Sequence, residues 1–484
     1  MRPDAPASLV LFRVGSLRLA DNLALQVAVA RGGPVIPVFL WAPAQDGHWR
    51  PGAASRWWLH GSLTALDAEL RQRGSRLSIR CGTSSVDLLG QLLTDTAATY
   101  VAWNRGLTPA ERASDAAVSE LLRDRGIDNA SFNAGLLVDP SSVRRSSPFK
   151  VYSAYARVAR PLIRLDRPTP APSHVQPPTR WPTGQPLEAL QLLPRPDWAA
   201  GLRSTWRPGE ASAAQALSAF VDGSLSRYAA DRDVPAADAT TRLSPYLHFG
   251  ELSPARVWRT LDQTQPAADP ERHASEIVRR ELLWREFAHY LLVHFPGSTD
   301  ESLDADFATI DWRADRTDLS AWQAGRTGYP LIDAGMRQLW QTGWMHNRVR
   351  MAVASFLVKD LLLPWQTGAR WFWDTLVDAD LANNSLGWQW TAGSGPDAAP
   401  FIRIFNPTLQ AERFDPSGDF IRRYVPELTK LPAPYLLHPS AAPPMALAEA
   451  GVELGKTYPH PIVEHHAARQ RAMAAFAARR RLRG

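Results

Sequence analysis

Cysteine is nearly absent, with Cys81 the only one in 484 residues. A single thiol cannot build an intramolecular disulfide framework or supply the several cysteines of a zinc or iron–sulfur site. Long apolar runs are missing too: none approaches the roughly 20 residues of a membrane-crossing helix, so no membrane partner is expected. The opening Met1-Arg2-Pro3-Asp4 leads only to a short apolar stretch at 9–12, without the core and cleavage site of a secretory signal. The cytoplasm is therefore the expected location. No Gly-x-Gly-x-x-Gly follows that stretch and no Walker-type loop occurs, which argues against a standard dinucleotide or NTP site.

What is present is the balance of a soluble globular protein, 45% hydrophobic and 21% charged. The length exceeds one ordinary core, so two unequal domains are expected. A net charge of +6 is compatible with a polyanionic partner, although charge alone is a weak signal. Nineteen tryptophans crowd toward the second half. Their plain role is core packing, and a role in stacking or carrying electrons needs support from position.

Over residues 1–130, apolar β-type runs at 9–12, 35–40, 77–80 and 100–103 alternate with helical patterns at 22–31, 55–73 and 84–94. That alternation predicts βαβ units, a parallel sheet covered on both faces, and ligands at the carboxyl ends of its strands. Residues 131–204 are read as an interdomain linker. Within it, 167–186 is too rich in proline for helix or sheet, because each proline fixes φ and removes a donor. From 205 to 484 the period turns helical, as at 211–220, 274–294, 333–340 and 349–362, which predicts a larger all-α domain. The Ala- and Arg-rich end, 465–484, reads as a solvated terminal helix or a contact to DNA or membrane.

One segment stands apart: Asp378-Ala-Asp-Leu-Ala-Asn-Asn-Ser-Leu-Gly-Trp-Gln-Trp390 packs two acids, three amides and two tryptophans together. No histidine or further carboxylate sits at ligand spacing, so no metal is expected. Hydrogen bonding to a polar heterocycle edge suits these side chains better. Thr240, Thr241 and Ser244 lie at a helix start, where hydroxyls and amides serve as an ordinary cap or hold an anion such as a pyrophosphate. His346 reads as a hydrogen-bonded interior histidine.

The 378–390 segment resembles the flavin-binding signature of the photolyase/cryptochrome family, and so does Asp397-Ala-Ala-Pro-Phe-Ile-Arg-Ile-Phe-Asn-Pro-Thr-Leu-Gln410. The likeness extends through Trp206-Arg-Pro-Gly-Glu210, Thr240-Thr-Arg-Leu-Ser-Pro-Tyr-Leu-His-Phe-Gly-Glu-Leu-Ser-Pro254, Glu281-Leu-Leu-Trp-Arg-Glu-Phe287, Thr327-Gly-Tyr-Pro-Leu-Ile-Asp333 and Trp344-Met-His-Asn-Arg-Val-Arg-Met351. These motifs cover nearly the whole helical half, in the family's order, and most resemble class I enzymes acting on cyclobutane pyrimidine dimers. The resemblance implies a Rossmann-like, antenna-type α/β domain followed by an all-α FAD-binding domain.

It also implies roles. Tyr228, Thr240, Thr241, Arg242, Leu243 and Ser244 would line the FAD phosphates. Asp378, Ala379 and Asp380 would meet the polar edge of the isoalloxazine, with Arg350 pairing Asp378. Asn384 would face flavin N5 as a neutral amide. Glu281 and Asn347 would bond the flipped bases between the stacking walls Trp284 and Trp390, with Met351 alongside, as base flipping requires. Arg232, Arg285, Arg348, Arg403 and Gln410 would hold the DNA backbone or rim the site. Trp388, Trp365 and Trp312 would carry electrons to the flavin.

The function so implied is light-driven repair of pyrimidine dimers in UV-damaged DNA by a monomer with no obligate protein partner. Two relatives of that reading stay open: a cryptochrome-like blue-light receptor and a (6-4) photolyase. The latter is disfavoured because Asn347, not a second histidine, follows His346. At the N-terminus Val14 and Ser16 stand where the family usually has arginine and aspartate. That substitution leaves a second antenna chromophore, of folate or deazaflavin type, open.

Overall fold

The computed structural model describes residues 6–165, 167–263, 269–397 and 403–481. Its first part is a five-stranded parallel sheet of order β3-β2-β1-β4-β5. The strands are β1 (Ser8–Phe12), β2 (Val35–Trp41), β3 (Ser78–Cys81), β4 (Tyr100–Asn104) and β5 (Asp128–Phe132). Every residue of β1 is buried, which is why it reads as an unbroken apolar run: a central parallel strand is covered on both faces.

Helices α1 (Leu23–Ala30), α2 (Ala53–Gln72), α3 (Ser85–Thr96) and α4 (Pro109–Asp124) alternate with these strands. Asn22 and Ser84 cap α1 and α3 with their side-chain oxygens, and Thr108 with Glu111 forms a capping box on α4. Strand order reverses between β1 and β4, so a crevice opens there at the carboxyl ends. β5 escaped the sequence reading because it is a polar edge strand, Asp-Asn-Ala-Ser-Phe, with no residue fully buried.

Residues 167–186 carry neither helix nor strand, as their prolines predict. They are pinned rather than loose: Val35 donates to the Gln176 carbonyl (2.8 Å) and Val175, fully buried, donates to Arg73 (2.9 Å). The expected linker also holds a helix, α5 (Tyr152–Ala159).

The helical half contributes α6 (Leu225–Asp231), α7 (Ser244–Phe249), α8 (Asp269–His294), α9 (Pro330–Thr342), α10 (Asn347–Ser355), α11 (Trp365–Thr375), α12 (Leu381–Ala392) and α13 (His465–Arg481), among shorter pieces. The run expected at 349–362 is not one helix, since α10 gives way to a π-turn over Phe356–Asp360.

The halves share a core in which Trp58 and Leu63 of α2 meet Leu217, Phe249 and Trp258. At the seam Gly250 has φ +71, and a Cβ on it would lie 1.9 Å from the Gly15 carbonyl carbon. Only glycine fits that backbone contact. Beside it the buried Arg18 donates to the carbonyls of Gly250, Asp21 and Ala134.

Candidate functional site

Asp378 sits just before α12 with its side chain only 4% exposed. A carboxylate so buried needs partners. Arg350 of α10 supplies two contacts, at 2.8 and 3.1 Å, and the Ser244 hydroxyl donates to it at 2.6 Å. One residue therefore ties the start of α7, the middle of α10 and the approach to α12 together. Ser244 spends its hydroxyl on Asp378, and no side chain caps α7. Thr241 Oγ1 only reaches the Leu243 amide, at 3.4 Å. The ordinary-cap reading of the three hydroxyl residues thus does not hold for Ser244, and the first-turn amides stay open to an anion.

Arg242 adopts φ +49 just ahead of that turn, and its guanidinium lies over Trp206 (4.5 Å) and Trp344 (5.3 Å). Tyr228, 6% exposed, lies on α6, where burial pushes its phenol up to about 12.

Asp380 caps α12, its Oδ1 accepting from the Asn383 amide at 2.9 Å. Its Oδ2 lies 3.3 Å from His289 Nε2 on α8 and 3.7 Å from His248 Nδ1 on α7. Burial alone would raise this carboxyl, yet the two histidines hold it well below the usual carboxylate range. Neither histidine was legible as its neighbour, being about 90 and 130 residues away in the chain. Among the described residues, no group of three or more His, Cys, Asp or Glu could hold a metal ion.

Asn384 donates its amide to the Ala369 carbonyl on α11 (2.9 Å), which fixes the side chain and leaves its oxygen acceptor uncommitted. An open helix start, an oriented arginine, a charge-matched aspartate and a held neutral amide form a donor set that fits FAD.

A second group forms a rim. Arg232 donates to Glu281 at 2.8 Å, and Arg348 donates to Asp233 at 2.6 Å while reaching Met351 Sδ at 3.8 Å. His346 joins these pieces. Its Nδ1 accepts the Arg348 amide (3.2 Å) and its Nε2 meets the Arg232 carbonyl (2.9 Å), so it caps α10 and fastens the end of α6. Burial, the largest influence, lowers its pKa to about 4. Asn347, next in the chain, is exposed.

Trp284, one turn beyond Glu281, is half-buried, and so is Trp390 on α12. Arg285, expected among the DNA contacts, is turned inward instead. It is 11% exposed, donates to the Gly135 carbonyl (2.7 Å) and lies toward Asp380, because one step along α8 rotates a side chain by about 100°. Arg403 is exposed and Gln410 half-buried on the Pro407–Phe414 helix. Residues 398–402 of the expected 397–410 match lie outside the described residues.

Trp388 and Trp365 are buried and Trp312 is half-exposed. Trp388 fits because residue 368 on α11 is glycine: a Cβ there would come within 2.0 Å of its ring.

A cavity of about 350 Å³ opens at the carboxyl ends of β1 and β2, lined by Phe12, Phe39, Trp41 and Trp49 with Asp46 and Glu111, and bounded on the helical side by His248, Phe249, Ala379 and Leu381. Burial, and then Glu111, pushes Asp46 up to about 7. Val14 also lines it, and Arg13 pairs with Asp115 at 2.7 Å.

Residues 278–478 match the FAD binding domain of DNA photolyase, and residues 8–173 match the DNA photolyase family. The chain is 47% identical over 468 residues to a deoxyribodipyrimidine photo-lyase of Agrobacterium fabrum, covering 96% of each. It is 39% identical to Cryptochrome-1 of Arabidopsis thaliana, over 94% of this chain and 68% of that protein. The crystal structure of a bacterial class III photolyase from Agrobacterium tumefaciens superposes with a TM-score of 0.94 at 46% identity, over 99% of both chains.

Proposed function

This chain belongs to the photolyase/cryptochrome family, an FAD-binding family, and from that premise we propose that it repairs cyclobutane pyrimidine dimers in ultraviolet-damaged DNA under light. The observation that carries the reading is the rim. Glu281 is held at 2.8 Å by Arg232, one turn from the half-buried Trp284, and the Arg232 carbonyl meets His346, the neighbour of the exposed Asn347. A flipped dimer needs this combination of edge acceptors and donors with flat stacking surfaces. When bound in reduced form, FAD supplies the photoexcited electron that splits the dimer and takes it back afterwards.

The residues do the rest. Arg242 and the open start of α7 bind the diphosphate, and Arg350 holds Asp378 in place for the isoalloxazine edge. Asn384 presents an amide with no proton to give readily, which favours the anionic reduced state. Trp284 and Trp390 flank the lesion, Glu281 and Asn347 hydrogen-bond its bases, and Met351 lines it. Arg232, Arg348, Arg403 and Gln410 hold the strand. No protein nucleophile and no metal enters the reaction. The superposition on a bacterial class III photolyase supports that subclass over the class I likeness of the motifs.

The (6-4) reading is weakened by His346, which points inward to cap α10 and grip Arg232. The receptor reading draws on the likeness to Cryptochrome-1 and is opposed by the presence of every lesion contact named above. The sheet cavity suits a flat heteroaromatic second chromophore, of folate or deazaflavin type, with a donor group toward Asp46.

The test combines purified protein, reductant and a thymine-dimer oligonucleotide under near-ultraviolet light, following recovery of thymine absorbance. Recovery should depend on light; equal recovery in the dark, or none, would overturn the repair reading. Trp388→Phe should abolish photoreduction of oxidised FAD while chemically reduced enzyme still repairs.

A further inference from the structure

Trp284 does not stand alone. Tyr152, the first residue of α5, stacks on its indole with ring centroids 3.9 Å apart and planes 6° from parallel. Phe287 meets both rings near edge-on, at 5.9 Å from Trp284 and 6.1 Å from Tyr152. The Tyr152 hydroxyl donates to the carbonyl of Arg280, one turn before Trp284 on α8, at 3.2 Å. α5 itself is anchored: Phe149 donates its amide to the Tyr290 hydroxyl (3.1 Å), and Tyr155, 1% exposed, packs on Phe287 and Tyr290. One face of the indole is thus set by a segment about 130 residues away in sequence, inside the stretch that reads as linker, and one edge by Phe287 of its own helix.

Burial, aided by the Glu281 charge, pushes the Tyr152 phenol up to about 12. It therefore keeps its proton and its bond to Arg280 across the working range of pH.

We propose that Tyr152 is a positioning residue for lesion recognition: it fixes the plane of the Trp284 indole so that the uncovered face is presented, already oriented, to the flipped dimer. This rests on the dimer-repair reading of the same site. A free indole half exposed to water samples several rotamers, and ordering it on binding costs affinity; a ring already clamped does not incur that cost. The stacked pair also adds attraction beyond area burial. The predicted signature is specific, since undamaged DNA never enters the pocket and its affinity should be indifferent to Tyr152.

The test compares wild type with Tyr152→Phe, Tyr152→His and Tyr152→Leu, each as FAD-loaded full chain. Dark binding to dimer-containing and undamaged oligonucleotides is measured first, then repair kinetics under light and the thermal midpoint. Tyr152→Leu should weaken dimer binding and raise KM about five- to tenfold, the range an aromatic pair commands, with kcat and undamaged-DNA affinity within twofold of wild type. Tyr152→Phe should stay near wild type and Tyr152→His fall between, so the series carries the test even if the leucine variant folds poorly. In a Trp284→Ala background Tyr152→Leu should add no further loss. Equal losses on damaged and undamaged DNA, an order that ignores ring area, or full additivity with Trp284→Ala would overturn the proposal. Absence of repair by the wild type would instead sink the reading on which it rests.

Discussion

The two candidate sites hold their carboxylates differently. In the helical half Asp378 meets Arg350 and Ser244, Asp380 meets His289 and His248, and Glu281 meets Arg232. In the sheet half Asp46 faces an aromatic cavity beside another acid and is pushed up to about 7. A site whose charges are matched within the chain is organised before its ligand arrives. A cavity with an unmatched acid gains its complement only from what binds there. The helical half accordingly looks like permanent cofactor housing and the sheet half like an optional one.

The largest break in that contrast comes from Arg350→Ala. Losing one partner of a buried pair typically costs about 3–5 kcal/mol, so the purified variant should lose its flavin colour and melt earlier. Retention of FAD at wild-type level would remove the pair from the cofactor site. Next is pH. His346 is lowered to about 4, below its unfolded value of about 6.5, so the unfolded chain binds the extra proton between those values. Stability is full above about pH 6.5 and falls as pH drops toward 4, by up to about 3 kcal/mol. Denaturant midpoints between pH 7 and 5 should show the slope, and His346→Gln should flatten it.

Asp46 has the opposite sign. Raised to about 7, it costs stability as pH climbs from about 4 through 7. Asp46→Asn should therefore stabilise the protein at pH 8 by about 1–2 kcal/mol and hardly at all at pH 4, read from melting curves. A gain that did not grow with pH would contradict the contrast. The smallest effect sharpens it at the rim: Glu281→Gln should weaken dimer binding about tenfold, the worth of one charged hydrogen bond, and leave undamaged DNA alone.

The sequence made the parallel sheet legible wherever strands are central, because β1, β2 and β4 are apolar but for the terminal Ser8 and Asn104. It hid β5, whose polar residues carry no pattern, and it hid the π-turn, since Phe356 to Asp360 continues a helical spacing. Asp378 and Arg350 were legible as a pair through the family resemblance, with which a buried carboxylate's need of a partner agrees. Arg285 was misplaced, because a run of adjacent residues says nothing of which helical face turns inward. His248, His289 and Tyr152 had no local signal; their partners are set by tertiary packing alone.

The Gly250–Gly15 contact has a bearing on light itself. With backbone resting on backbone and Arg18 stapled across it, the seam is closely packed. The sheet-side cavity reaches the helical site directly, since Ala379 and Leu381 line it. Whatever settles in the sheet cavity thus shares a wall with the helical site, like two lenses set in one barrel.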